Sequence, residues 1–160
     1  MKGKSKGEER RRVWRSRDTL KGHWTYPVLY YKKQLTLDHL IATYKKPMVS
    51  IINGAVMGGG AGLSMNTTFR IVAERAVFAM PEASLRLFPD VGANYFISRL
   101  PGYFGEYLGL TGARLHGAEI VARGLATQFV PSMKLHLLEN VLQAVTSSNV
   151  SPIATLVEKV

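Results

Sequence analysis

No cysteine occurs in the chain, which removes disulfide frameworks, thiol nucleophiles and thiolate zinc sites together. That absence fits a reducing, intracellular compartment. No apolar run approaches the roughly eighteen residues that a membrane span needs, so no span is expected. No Ser/Gln-rich tract or internal period points to a disordered or solenoid chain. Histidine is sparse, and His23, His39, His116 and His136 stand at no ligand spacing, so no metal is expected. Ser50, Ser64 and Ser84 lack the G-x-S-x-G surround of a nucleophile elbow. Acid is also in short supply, with 11 Asp+Glu against 21 Lys+Arg and a formal net charge of +10. What remains is a 160-residue chain, 46% hydrophobic, long enough for one domain with a sizeable core.

The excess of positive charge is local. Residues 1–33 hold 11 Lys/Arg against 3 Asp/Glu, a net +8, and residues 34–160 hold 10 against 8, a net +2. Lys2, Lys4, Lys6, Arg10, Arg11, Arg12, Arg15 and Arg17 repel one another with little apolar surface between them. An arm over residues 1–27 with little structure of its own is therefore expected, ahead of a domain over 28–160. A solvated tail is the simpler reading. Contact with nucleic acid or an acidic membrane is the alternative, disfavoured because only Trp14 and Trp24 accompany the charge. The basic start is followed by no apolar h-region, unlike a secretory signal, and Glu8, Glu9 and Asp18 spoil the acid-poor pattern of a transit peptide.

Beyond Val28 the pattern turns globular. Leu37, Leu40, Ile41 and Tyr44 recur at helical spacing until Lys45-Lys46-Pro47, which predicts one amphipathic helix. Met48–Ile52 is nearly all apolar and rich in β-branched residues, and Asn53-Gly54 ends it: a buried strand. Four glycines then fall within residues 58–62 before residues able to start a helix, giving strand, glycine turn, helix. Phe69–Ala73 and Val77–Met80 suggest a second strand pair. Two short helices follow, through Arg99 and Leu110, then a strand over Leu125–Val130. Ser132 is placed to cap a last helix whose buried stripe is Leu135, Leu138, Leu142 and Val145. Strands alternating with helices argue for an α/β fold.

Two features carry chemistry. Consecutive glycines let a backbone approach a ligand closely, and the N–H groups of the helix that follows suit an anion. Neither Walker A nor G-x-G-x-x-G spacing is present, and a tight packing turn explains the same glycines equally well. Glu82 and Asp90 stand in apolar surroundings, Phe78-Ala79-Met80-Pro81-Glu82 and Leu87-Phe88-Pro89-Asp90-Val91. A carboxylate so placed tends to have a raised pKa and can act as base or acid. The competing roles are loop acids facing water and, for Asp90, a cap on the helix that starts near Val91-Gly92.

Together Lys46-Pro47-Met48-Val49-Ser50-Ile51-Ile52-Asn53-Gly54-Ala55-Val56-Met57-Gly58-Gly59-Gly60-Ala61-Gly62-Leu63-Ser64, Phe78–Glu82 and Leu87–Gly92 resemble the crotonase superfamily, and within it the plant-type 3-hydroxyisobutyryl-CoA hydrolase branch. The likeness runs from about Tyr30 to Ser132. It implies a spiral of ββα units, here incomplete, that binds an acyl-CoA thioester and needs no cofactor, coenzyme A being part of the substrate. It also implies two backbone N–H donors for the thioester oxyanion, one of them on Gly59. Hydratases of the superfamily carry a glutamate where this chain has Gly62, and glycine where it has Asp90; both differences favour thioester hydrolysis. The resemblance thus implies hydrolysis of 3-hydroxyisobutyryl-CoA in valine breakdown, with Glu82 as nucleophile or base and Asp90 as the orienting acid. Gly58, Gly59, Met57, Pro81, Leu85 and Gln34 would form the substrate-binding set, and Met57, Leu85 and Phe88 would bear on acyl preference. A mitochondrial or peroxisomal site and a homo-oligomer are compatible with it.

The chain also departs from the pattern. Nothing resembles the upstream Phe-Cys-Ala-Gly-Gly-Asp-like turn that supplies the first oxyanion donor, and the long helical C-terminal part is not seen after Lys134, so truncation at both ends is expected. Gln34 replaces a family glutamate and Arg86 a glycine. A catalytically impaired fragment or paralogue that only binds acyl-CoA is the alternative these departures raise, with a polyanion-binding protein built on the basic arm as a third.

Overall fold

A computed structural model describes residues 25–144 and Thr155. The basic segment 1–24 and Val145 lie outside the described residues, so the expectations placed on them have no counterpart here. The chain divides into two compact units, Met1–Gln34 and Leu35–Val160. Helix α1 (Thr25–Ala42) contains the division.

The second unit is built on two small sheets. Strand β1 (Val49–Ile52) is followed, after Asn53-Gly54, by β2 (Ala55–Met57), and helix α2 (Gly59–Met65) completes a first ββα unit. Strands β3 (Phe69–Val72) and β4 (Val77–Ala79) repeat the arrangement, with a 3-10 turn at Pro81–Leu85 in the place of the helix. The β3 strand lies parallel to β1, Val49 facing Phe69 and Ile52 facing Val72, while β4 lies parallel to β2, Ala55 facing Val77. Phe69–Ala73 and Val77–Met80 are thus strands, but they do not pair with each other. Each steps from one sheet to the other, and the steps are fastened by the Ala73 amide to the Ile52 carbonyl (2.9 Å) and the Val77 amide to the Gly54 carbonyl (3.1 Å). Strand β2 escapes sequence reading because three residues are too few to show alternation.

The remaining elements close both sheets. Short helix α3 (Ala93–Phe96) runs into a 3-10 turn at Ile97–Arg99, and α4 (Phe104–Thr111) follows. Strand β5 (Leu115–His116) pairs antiparallel with β4, then come α5 (Ala118–Ala122) and β6 (Gln128–Phe129), parallel to β3. The strand expected over Leu125–Val130 shrinks to two residues, because the Leu125 and Ala126 amides turn back to the Ile120 carbonyl. Arg70 Nε meanwhile donates to the Leu125 carbonyl at 2.7 Å. Helix α6 (Leu135–Ala144) begins after a 3-10 turn at Ser132–Lys134. Ser132 is not its side-chain cap: its hydroxyl and amide both donate to the Glu74 carboxylate, the amide at 2.8 Å.

Two apolar clusters follow from this layering. Phe78, Met80, Leu108 and Ile120 are fully buried in the larger one, where Phe78 meets Phe96 edge-on at 6.4 Å. Ile71, Val130, Leu135 and Leu138 form the smaller one, with Leu142 packed against it, as the predicted stripe of the last helix requires. Helix α1 departs from expectation. Leu37, Leu40 and Tyr44 are exposed, Ile41 is half-buried, and Asp38 is its buried residue at 4% exposure. Close approach to α2 selects that face, since Asp38 Oδ2 lies 3.1 Å from where a Gly62 methyl would sit.

Candidate active site

The glycine turn and Glu82 meet at one end of the sheet formed by β2 and β4. Both strands run in the same direction, so β2 delivers Met57-Gly58 and β4 delivers Pro81-Glu82 at the same end. Gly58 has φ 51° and ψ −128°, a conformation open in practice to glycine alone. Its carbonyl accepts from the Ala61 and Gly62 amides at 2.9 and 3.1 Å, so α2 starts there. The amides of Gly59 and Gly60 are the first of that helix and have no intrahelical acceptor. The packing reading of the glycine run has its place at Gly62, while Gly58 makes the turn.

Glu82 is the acid the turn faces. A methyl built on Gly58 would lie 3.8 Å from Glu82 Oε1, so the carboxylate sits beside the turn. It is only 6% exposed, and its Oε2 is buried without a hydrogen-bond partner among the described residues. Burial raises its pKa, a hydrogen bond from its own backbone lowers it, and the nearby charge of Asp90 raises it further.

Helix α4 positions both acids through glycines. A Cβ on Gly112, the glycine that ends α4 at φ 65°, would come within 3.3 Å of Pro81 Cα. A Cβ on Gly109 would come within 3.3 Å of Pro89 Cγ. Pro81 precedes Glu82 and Pro89 precedes Asp90, so each acid follows a proline seated on the same helix. Gly105 continues the row, against the Ile97 carbonyl. Sequence reasoning missed this support, although the spacing of Gly105, Gly109 and Gly112 at helical intervals was the signal available.

Asp90 is half-buried. Its carbonyl accepts from the Ala93 amide at 2.7 Å, but Gly92 is the cap of α3 and no side chain caps that helix. The capping role considered for the Asp90 carboxylate is not the one observed. Met57 and Pro81 are half-buried at the ends of the structures that carry Gly58 and Glu82. Leu85 and Phe88 are open, at 67% and 77% exposure, on the loop joining the two acids. Arg86, on that loop, takes a left-handed φ of 60°, as expected where a glycine would be at ease. Gln34 belongs to the first unit and is half-buried there. Among the described residues no group of three or more His, Asp or Glu could hold a metal ion, and no helix is long and apolar enough to cross a membrane.

A family model described as enoyl-CoA hydratase/isomerase matches residues 11–160. The chain belongs to the enoyl-CoA hydratase/isomerase family. It is similar to proteins named 3-hydroxyisobutyryl-CoA hydrolase. "Probable 3-hydroxyisobutyryl-CoA hydrolase 2" of Arabidopsis thaliana is 60% identical over 142 residues, 89% of this chain and 38% of the relative. The mitochondrial 3-hydroxyisobutyryl-CoA hydrolase of Rattus norvegicus is 46% identical over 128 residues, 80% of this chain and 33% of the relative. An enoyl-CoA hydratase from Rhodobacter sphaeroides superposes with a TM-score of 0.76 at 32% identity, over 82% of this chain and 40% of the other. The chain therefore spans well under half the length of these relatives. The crotonase fold expected from the three motifs is the fold observed.

Proposed function

We propose that this chain carries the carboxylate half of an acyl-CoA thioester hydrolase site and acts on 3-hydroxyisobutyryl-CoA, releasing 3-hydroxyisobutyrate and coenzyme A. The observation that carries the reading is the buried Glu82 carboxylate beside the Gly58 turn, with Asp90 close enough to perturb it. Gly62 supports hydrolysis over hydration: a second acid cannot stand there, because even a methyl would lie 2.7 Å from the Val91 side chain and carbonyl. The names of the relatives point to the same substrate.

In the proposed step the thioester carbonyl lies over the start of α2, where the Gly59 amide donates to the oxygen as it gains negative charge. Glu82 either attacks the carbonyl carbon or takes a proton from the water that does. The carbon–sulfur bond breaks and coenzyme A leaves as a thiolate that picks up a proton; the acyl group ends as a carboxylate, directly where water attacked, or after water cleaves the acyl–Glu82 anhydride and restores the carboxylate where Glu82 attacked. Asp90 orients the water or supplies the proton. Coenzyme A enters as part of the substrate, and no further cofactor is assigned. Met57, Pro81, Leu85 and Phe88 line the approach. The mitochondrion is the inferred compartment, on the strength of the vertebrate relatives so named.

The test is thiol release from 3-hydroxyisobutyryl-CoA by the full chain and by Glu82→Ala, with crotonyl-CoA as the hydration control. Release that Glu82→Ala lowers by about a hundredfold or more, without hydration of crotonyl-CoA, supports the proposal. A folded chain that binds acyl-CoA and releases no thiol would overturn it in favour of a binding paralogue. Single-turnover hydrolysis in 18O-water tests for direct attack, because label in the Glu82 carboxylate requires an acyl–Glu82 anhydride opened by water at the glutamyl carbon.

A further inference from the structure

The turn that bears Asp90 is held in a conformation its sequence resists. Val91 has φ 46° and Gly92 φ 77°, two left-handed residues in succession, and a β-branched residue with positive φ is a genuine outlier. Such strain persists only where the surroundings over-determine it. Four contacts do so here. Val91 is buried in the larger core cluster. Gly62 of α2 lies directly against it, close enough that a methyl there would stand 2.7 Å from both Val91 Cβ and the Val91 carbonyl oxygen. Asn66 donates to the Gly62 carbonyl at 2.7 Å and its Nδ2 lies 3.7 Å from the Cβ position of Gly92. On the other side Pro89 rests on Gly109. Asp90 is thus gripped between α2 and α4.

We propose that Gly62 is a positioning residue that fixes the Asp90 carboxylate beside Glu82 by clamping Val91 in its left-handed conformation. The inference rests on the reading of Asp90 as the second acid of the site. Gly62 touches neither acid; its effect passes through the Val91 backbone. Any side chain at position 62 pushes first on backbone, which cannot move aside as a flexible side-chain end can, and Asp38 Oδ2 at 3.1 Å closes the remaining direction. The displacement therefore has to be taken up by the turn, and a shift of about 1 Å at a positioned group is enough to cost on the order of a hundredfold in rate.

The experiment follows the Glu82 side-chain carboxyl by carbon NMR titration in the full chain, in Asp90→Asn, Gly62→Ala, Val91→Gly and the double variant Gly62→Ala/Asp90→Asn. Thiol release from 3-hydroxyisobutyryl-CoA is read beside it. Asp90→Asn removes the like charge and lowers the Glu82 pKa. Gly62→Ala and Val91→Gly are expected to lower it in the same direction, because each lets Asp90 move away, and the double variant is expected to go no further than Asp90→Asn alone. The rates should follow the same rule, with kcat falling about tenfold to a hundredfold in each single variant and not multiplying in the double one. Val91→Gly loosens the clamp without adding an atom, so it carries the test even where Gly62→Ala fails to fold. Glu82 titrating as in the parent chain in Val91→Gly, or rate losses that multiply, would overturn the proposal, as would an Asp90→Asn variant in which Glu82 does not move. The expected titration pattern in a chain that releases no thiol would uphold the clamp and overturn the hydrolase reading instead.

Discussion

Replacing Gly58 by alanine separates backbone cost from steric cost in the turn that faces Glu82. At φ 51° and ψ −128° an L-residue is strained, whereas the added methyl would meet nothing nearer than Glu82 Oε1 at 3.8 Å, an ordinary contact. The penalty is therefore conformational and amounts to about 1–3 kcal/mol. For a chain of this length that corresponds to a melting point lower by about 2–12 °C. Gly60→Ala is the matched control. Gly60 is helical, has no positive φ, and a methyl there meets nothing within 4 Å, so alanine should be neutral or stabilising by up to about 1 kcal/mol. Urea denaturation with unchanged slopes measures both. A Gly58→Ala variant as stable as Gly60→Ala would mean that the turn does not hold its left-handed geometry. A loss well above 4 kcal/mol would mean that the methyl collides with something the turn geometry does not reveal.

Two further outcomes follow from the titrating groups. Burial holds Glu82 above the ordinary glutamate pKa, so as pH rises the unfolded chain loses this proton first. Folding stability then falls from the unfolded pKa up to the folded one and levels off above it; Glu82→Gln should remove that decline and gain relative stability as pH rises through that interval, and parallel curves for the two proteins would refute it. Glu74 behaves oppositely: its bonds from Ser132 hold it below the ordinary value. The stability it contributes is present at neutral pH and disappears as pH falls through the folded pKa. Ser132→Ala should therefore melt lower than the parent at pH 7 and approach it in acid, and a pH-independent difference would sink the account.

Local chemistry was legible in the sequence wherever a residue's role depends on near neighbours. The strand at Val49–Ile52, the glycine turn that precedes α2 and the apolar stripe Leu135, Leu138, Leu142 all follow from spacing and propensity. The burial of Glu82 was legible too, from the apolar residues ahead of it in sequence. What could not be read was pairing between distant segments. Phe69–Val72 and Val77–Ala79 look like partners along the chain, and only the parallel register with β1 and β2 sends them to different sheets. Gly62 shows the same limit from another side. Its place in the sequence marks a missing acid, but that Val91 fills the space depends on a turn 29 positions away. The apolar stripe Leu37, Leu40 and Tyr44 does not mark the buried face of α1; Asp38 does, and only the approach of α2 turns that side inward.

The buried Glu82 follows closely in sequence on residues of the larger core cluster. Phe78 and Met80, both fully buried, occupy the strand and strand end that lead directly into Pro81-Glu82. Both are core residues and cannot be exchanged for polar ones without opening the larger cluster. A carboxylate in that position opposes folding once ionised, and none of the described residues offers Oε2 a hydrogen bond in return. A group that weakens its own fold, beside a backbone turn that only glycine can make, is the kind of local inconsistency that marks a working site. The two glycines of α4 beneath Pro81 and Pro89 fit this view: they add little to the core themselves, but they let one helix support both acid-bearing segments at close range.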